Sequence, residues 1–322
     1  MTAALRLIVA SAIVLLPTVC SGQIARVEVH PIQSVTMSDQ DFLNGRKDGT
    51  PVTLAGELRI PRPGTDKLPA VVLLHGSGGV LRNVVEWEQE LSAMGVATFV
   101  LDAFTGRGIV ATGTNQALLG RLAMTYDAYR VLEILEKHTR IDPQRIAVMG
   151  FSRGGQAALY SGVKRFQRMH GPASGRDFAA YISFYSPCGT HFIEDDVVSP
   201  NPIRMFHGAA DNYVPVAPCR DFVTRLKAKG ADVILIEYEG AHHVFDGRHL
   251  MKPIVVAKAQ TTRSCQLVET QNGVVINVKT RQAFSYTDPC VELGPTIAYD
   301  EKAHSEAIKA VKTFVAATLL RP

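Results

Sequence analysis

The sequence predicts an α/β fold, a mostly parallel central sheet of about eight strands flanked by helices. Three observations point there. Apolar stretches of strand length alternate with stretches of helical period through most of the chain. Several strand-length stretches are apolar without interruption, as strands buried on both faces are. The 322 residues are 46% hydrophobic and 20% charged, which suits one large globular domain and excludes disorder, collagen and coiled coil.

The elements follow in order. Val52–Ile60 reads as an early strand, ended by Pro61-Arg62-Pro63-Gly64. Ala70–Leu74 is a buried strand, Val84–Met94 a helix, and Val96–Leu101 another buried strand. Ala117–Lys137 carries Leu118, Leu122, Tyr126, Tyr129, Leu132 and Leu135 at helical spacing, which predicts one long amphipathic helix. Asp142-Pro143 marks a turn, Arg145–Met149 a strand and Gly154–Val163 a helix. Tyr181–Tyr185, Ile203–Phe206 and Val233–Tyr238 read as three more buried strands, with Phe222–Lys229 a helix between the last two. Glu301–Leu319 closes the chain as a helix with one apolar stripe.

Two segments stand apart. Residues 1–22 hold a single charge, Arg6, then an apolar run from Leu7 to Val19 followed by Cys20, Ser21 and Gly22. That run is too short to span a membrane and reads as a signal peptide cleaved near Gly22. Acylation at Cys20 is the weaker alternative, because Pro17-Thr18-Val19 suits lipoprotein processing poorly. The expected mature chain is then an exported, periplasmic or secreted domain over residues 23–322, without a stable membrane span. The second segment, Gly247–Pro295, is too long for an ordinary connection. Asn272-Gly273 between Val- and Ile-rich runs predicts an inserted β-hairpin within 247–298, set over the active site or decorating an edge.

Charge narrows the function. A net charge of +4 without any dense basic block gives a mixed solvated surface and speaks against nucleic acid. Four cysteines remain after Cys20: Cys188, Cys219, Cys265 and Cys290. With no CxxC and no histidine at a zinc-ligand offset, disulfides are expected rather than metal, in one of three pairings. No cofactor is implied.

The chemistry centres on Gly150-Phe151-Ser152-Arg153-Gly154, between the Arg145–Met149 strand and the following helix. Gly-x-Ser-x-Gly at such a junction makes a sharp turn that lifts a serine hydroxyl above the sheet, and a side chain at either flank would clash. A serine hydroxyl needs a base, and the base needs an acid. Asp211, just past the Ile203–Phe206 strand, is the candidate acid. His242 and His243, just past Val233–Tyr238, compete as base, and Asp246 is too near them in sequence to be the ordinary partner. Oxyanion donors are expected from the amides of Arg153 and of Ser77, in the loop His75-Gly76-Ser77-Gly78-Gly79. That loop lacks the Lys and Ser/Thr of a phosphate-binding P-loop. His75, Asp102 and Arg107 are candidates for the substrate rim, with an Asp102–Arg107 ion pair as the alternative.

These residues resemble the dienelactone hydrolase family of the α/β-hydrolase superfamily. The likeness lies in Leu73-Leu74-His75-Gly76-Ser77-Gly78-Gly79, Asp102-Ala103-Phe104 with Arg107-Gly108, Gly150–Gly155, Gly208 with Asp211, and Gly240–Asp246. It implies an α/β-hydrolase fold and a Ser152–Asp211–His243 triad, since the family's His-x-Phe ending selects His243. It also implies a Cys188–Cys219 pair, which leaves Cys265–Cys290. The best-known members carry a cysteine nucleophile, whereas this chain has serine, which points to a broader hydrolase of small carboxylic esters or lactones. A prolyl-oligopeptidase-like peptidase and a non-catalytic binding protein on this fold are the alternatives. The 247–295 segment has no counterpart in the minimal family domain.

Overall fold

The computed structural model describes residues 24–321, so the expected signal segment lies outside the described residues. Eight strands form the main sheet: β1 (Arg26–Thr36), β2 (Thr50–Ile60), β3 (Leu68–Leu74), β4 (Ala97–Asp102), β5 (Ile141–Phe151), β6 (Tyr181–Phe184), β8 (Ile203–Gly208) and β9 (Val233–Tyr238). Their spatial order is β1-β2-β4-β3-β5-β6-β8-β9. β1 and β2 run antiparallel, as do β2 and β4, and the remaining neighbours are parallel. This is the α/β-hydrolase fold.

Alternation along β3 shows how the sheet divides the core. Ala70, Val72 and Leu74 face one apolar cluster, while Val71 and Leu73 face the other. Helices α3 (Ala123–Leu135), α4 (Arg153–Tyr160) and α6 (Ala217–Ala228) pack into the first, and α2 (Arg82–Ser92) and α7 (Glu301–Leu319) into the second. All seven residues of β3 are buried, as its unbroken apolar run requires. Two short helices complete the set, α1 (Asp39–Leu43) and α5 (Lys164–His170).

Three expectations need correction. The stretch Ala117–Lys137 is not one helix: a single 3-10 turn over Gln116–Leu118 precedes α3. Its linking backbone is occupied elsewhere, since Leu122 donates its amide to Asp39 and the carbonyls of Leu119 and Gly120 accept from Arg153. β9 is an edge strand with Ile234 exposed, not a buried one, because β8 is its single neighbour. The helix expected from Phe222 begins at Ala217, where Pro218 fits the first turn that needs no amide donor.

Between Gly247 and Ala298 the chain forms short pieces: β10 (Ile254–Val255), β11 (Gln260–Thr261), β12 (Leu267–Glu269), β13 (Val275–Asn277), β14 (Glu292–Leu293) and β15 (Thr296–Ile297). β12 and β13 make the hairpin expected around Asn272-Gly273, and β12 also pairs with β7 (Thr190–His191). Disulfides join Cys188 to Cys219 and Cys265 to Cys290. No helix among the described residues is long and apolar enough to cross a membrane.

Candidate active site

Ser152 follows the last residue of β5 and caps α4 with φ 53° and ψ −114°, a strained conformation for a residue with a side chain. The flanking glycines make it feasible. A β-carbon on Gly150 would lie 2.0 Å from the Gly154 carbonyl oxygen, and one on Gly154 would lie 2.2 Å from that of Leu74. The Ser152 amide donates to Phe184 of β6 and its carbonyl accepts from Gln156, so the turn is tied at both ends.

Asp211 and His243 leave the ends of β8 and β9 on the same edge. His243 Nε2 lies 3.0 Å from Ser152 Oγ, and Nδ1 lies 2.7 Å from Asp211 Oδ2. The other Asp211 oxygen accepts the amides of Tyr213 and Val214, both at 2.8 Å. Burial alone would raise the Asp211 pKa, but the His243 and His207 rings beside it override that and hold it well below the ordinary carboxylate range. An ionised Asp211 fixes the His243 tautomer, Nδ1–H donating, with the Nε2 lone pair free to take a proton from Oγ. His242 lies outside this chain of hydrogen bonds.

The sequence left unread what holds the imidazole. Tyr185 packs its ring edge-on against His243, with centroids 4.6 Å apart, and Tyr213 lies on the imidazole at 4.7 Å. Tyr185 itself sits at φ 38°, anchored by its hydroxyl donating to Asp246 Oδ1 at 2.7 Å. Burial pushes the Tyr185 pKa far up, so it remains a donor. Asp246 is fully buried and also accepts from Trp87 Nε1 at 2.9 Å and Asn83 Nδ2 at 3.3 Å. Asp246 therefore braces the wall behind His243 rather than orienting its Nδ1. Aspartate directly after His-x-Phe was the sequence signal available, but its partners lie far off in sequence, on α2 and just past β6.

Arg153 contributes more than its backbone. Its side chain is 4% exposed, lies in no ion pair among the described residues, and donates to the Leu119, Gly120 and Gln116 carbonyls and to Gln116 Oε1. The Ser77 loop runs close by: a β-carbon on Gly76 would sit 3.4 Å from that of Ser152.

The expected rim residues are corrected. His75 is wholly buried, with Nδ1 donating to the Gly76 carbonyl and Nε2 accepting the Ala103 amide, so it braces two loops and lines neither cavity beside Ser152. Asp102 caps the Phe104 and Thr105 amides and borders a separate groove with Val29 and Val85. Arg107 forks onto Asp127, not Asp102, at 2.8 and 2.9 Å, and both partners are buried. Their backbone neighbours compete for these polar groups, which sequence order could not reveal.

Two cavities meet at Ser152. A small one of about 70 Å³ has a wall of mixed polarity that includes Gln116, Arg121, Arg153 and Gln156. A larger one of about 250 Å³ is walled largely by apolar side chains, with His243 in its lining. Residues of the 247–298 segment line both, Gln260, Thr261 and Tyr286 the first, Val256, Ala259 and Ile297 the second. The segment thus borders the site rather than decorating an edge.

One group elsewhere has metal-ligand composition, Glu28 with His30 and His138. His138 Nδ1 accepts the Arg140 amide, which puts its proton on Nε2, donating to Glu28, and leaves no lone pair for an ion.

A sequence profile of the Dienelactone hydrolase family matches residues 56–319. The chain is similar to a dienelactone hydrolase-like promiscuous phosphotriesterase from metagenomic libraries, with TM-score 0.58 and 16% identity over 91% of this chain and 98% of that one. It is similar also to Thermogutta terrifontis esterase 2 phosphoramylated by tabun, with TM-score 0.51 and 22% identity over 69% and 86% of the two chains. At these identities the two likenesses speak for the fold.

Proposed function

Because the chain belongs to the Dienelactone hydrolase family, we propose that it is a serine hydrolase of small carboxylic esters, lactones included, with Ser152 as nucleophile, His243 as base and Asp211 as acid. The observation that carries this is the continuous chain of hydrogen bonds from Ser152 Oγ through His243 to Asp211, at 3.0 and 2.7 Å. It is built by residues in the order that such a hydrolase uses.

His243 Nε2 takes the Oγ proton as Oγ attacks the ester carbonyl. The amides of Ser77 and Arg153 hold the oxyanion, and Arg153 opens α4, where backbone N–H groups are free and the helix dipole favours negative charge. Collapse breaks the bond to the alcohol oxygen, which takes the proton from His243. Water, deprotonated by the same imidazole, then adds to the acyl-enzyme and releases the acid and Ser152.

The two disulfides suit an oxidising compartment, and we assign the protein to the exported, periplasmic or secreted class. Residues 23–322 act in this reading as one hydrolase domain, with 247–298 as its insertion. A fluorophosphonate probe on the purified protein tests the assignment. Labelling should be abolished in Ser152→Ala, and labelling that persists there would overturn it.

A further inference from the structure

We propose that the two cavities divide the substrate at the scissile bond, the acyl group entering the smaller, more polar one and the alcohol the large apolar one. The preferred substrates are then esters joining a short, acceptor-bearing acyl group to a bulky apolar alcohol. This rests on the serine-hydrolase reading above.

Proton balance sets the direction. When the acyl–oxygen bond breaks, the alcohol oxygen must collect its proton from His243 Nε2, so it leaves on the side where that nitrogen is exposed. His243 lines the large cavity and is absent from the lining of the small one. The acyl chain, pointing away from the imidazole, is left the space beside Arg153 and Gln156 on α4.

Size and polarity follow. About 70 Å³ is roughly half the volume of a cavity that takes a benzene ring (about 150 Å³), room for about three heavy atoms beyond the carbonyl. Its wall holds the Arg153 guanidinium, which hydrogen-bonds only to neutral oxygens, and Gln116, so an ether or keto oxygen gains where a methylene does not. The large cavity is lined by Leu81, Ala111, Phe151, Val256, Ala259 and Ile297, and Leu81 is itself exposed, as is Val255 next to Val256 in the chain. Apolar alcohol surface there is removed from water.

Two glycines give a test without touching the triad. A β-carbon on Gly189, in the small cavity, would meet nothing nearer than Pro218 at 4.0 Å. One on Gly113, in the large cavity, would meet nothing nearer than the Tyr213 hydroxyl at 3.9 Å. Wild type, Gly189→Leu and Gly113→Leu are assayed on acetyl, methoxyacetyl, butyryl and hexanoyl esters of 1-naphthol, and on ethyl, benzyl and 1-naphthyl acetates. Gly189→Leu should lower kcat/KM for butyrate relative to acetate about tenfold or more, and Gly113→Leu that for naphthyl relative to ethyl acetate by a similar factor. Wild type should disfavour hexanoate, and should prefer methoxyacetate to butyrate after division by the rates with hydroxide.

An exchange of the two patterns between the variants overturns the orientation. Wild-type hexanoate turnover equal to acetate overturns the short-acyl claim even if both variants misfold. Failure of the underlying reading looks different: no ester in either series is turned over, and no probe labels Ser152.

Discussion

The crest of the sheet and the strap over residues 247–298 face each other across Ser152, yet they are held by different forces. Ser152, Asp211 and His243 stand at the ends of β5, β8 and β9, whose backbones are locked in ladders and whose side chains lie in two apolar clusters. The strap has strands of two or three residues and little core of its own. The Cys265–Cys290 disulfide closes it on itself, and it is fastened to the rest at discrete points: the fork of Arg165 onto buried Glu269, Asn44 on the Asn272 carbonyl, and Arg121 over the Phe284 ring. A ladder fixes position to fractions of an ångström, which proton transfer needs. Point fastenings fix a wall, which is enough to choose a substrate.

If that division holds, damage at the crest should remove catalysis, and loss of the nucleophile alone should leave stability nearly untouched. Ser152→Ala should lower kcat/KM by about 10⁴-fold or more with an unchanged melting temperature. Asp211→Asn should cost about as much, and its effect on stability should depend on pH. The Asp211 carboxyl is held below its unfolded value, so its stabilisation is present above about pH 4 and is lost as pH falls below that, toward the folded value. Wild type and Asp211→Asn should therefore converge in acid when their unfolding midpoints are compared.

Damage to the strap should do the reverse. Opening Cys265–Cys290 by a double serine substitution should destabilise by about 3 kcal/mol in denaturant titration, from the loop it closes. The catalytic loss should stay within about 10- to 100-fold, the scale of a displaced wall. A loss as large as that of Ser152→Ala would break the comparison. Glu269→Gln leaves Arg165 without its carboxylate and should cost about 3 kcal/mol, with a rise in KM larger than the fall in kcat.

The smallest catalytic effect is expected under α1, whose C-terminal cap is Asn44, the strap's contact. Burial lowers the His170 pKa to about 4, and Nε2 donates to the Phe42 carbonyl. A folded value below the unfolded one gives stability that is intact above about pH 6.5 and declines as pH falls toward 4. His170→Gln should flatten that decline in thermal melts while activity at neutral pH stays as in wild type.

The crest was also the legible half. Uninterrupted apolar runs such as Ala70–Leu74 announce buried strands, and Gly-x-Ser-x-Gly, Asp211 and His243 follow in order because each is tied to a strand end. β1 went unnoticed because it lies at the sheet edge with Val27 and Val29 facing solvent. The break before α3 was hidden because Asp39 and Arg153, distant in sequence, occupy its backbone. Asn272-Gly273 announced the hairpin, but nothing local says that the strap borders Ser152. The role of Asp246 was invisible for the same reason: Asn83, Trp87 and Tyr185 meet it only in three dimensions.

That last cluster has a practical side. Trp87 is the sole tryptophan of the sequence, is almost fully buried, and donates its indole N–H to Asp246 behind the edge-on Tyr185–His243 pair. The protein therefore carries a built-in fluorophore at the back wall of its own site. Its emission should report rearrangement around the imidazole, in real time and without a label, as an acyl group is loaded and released.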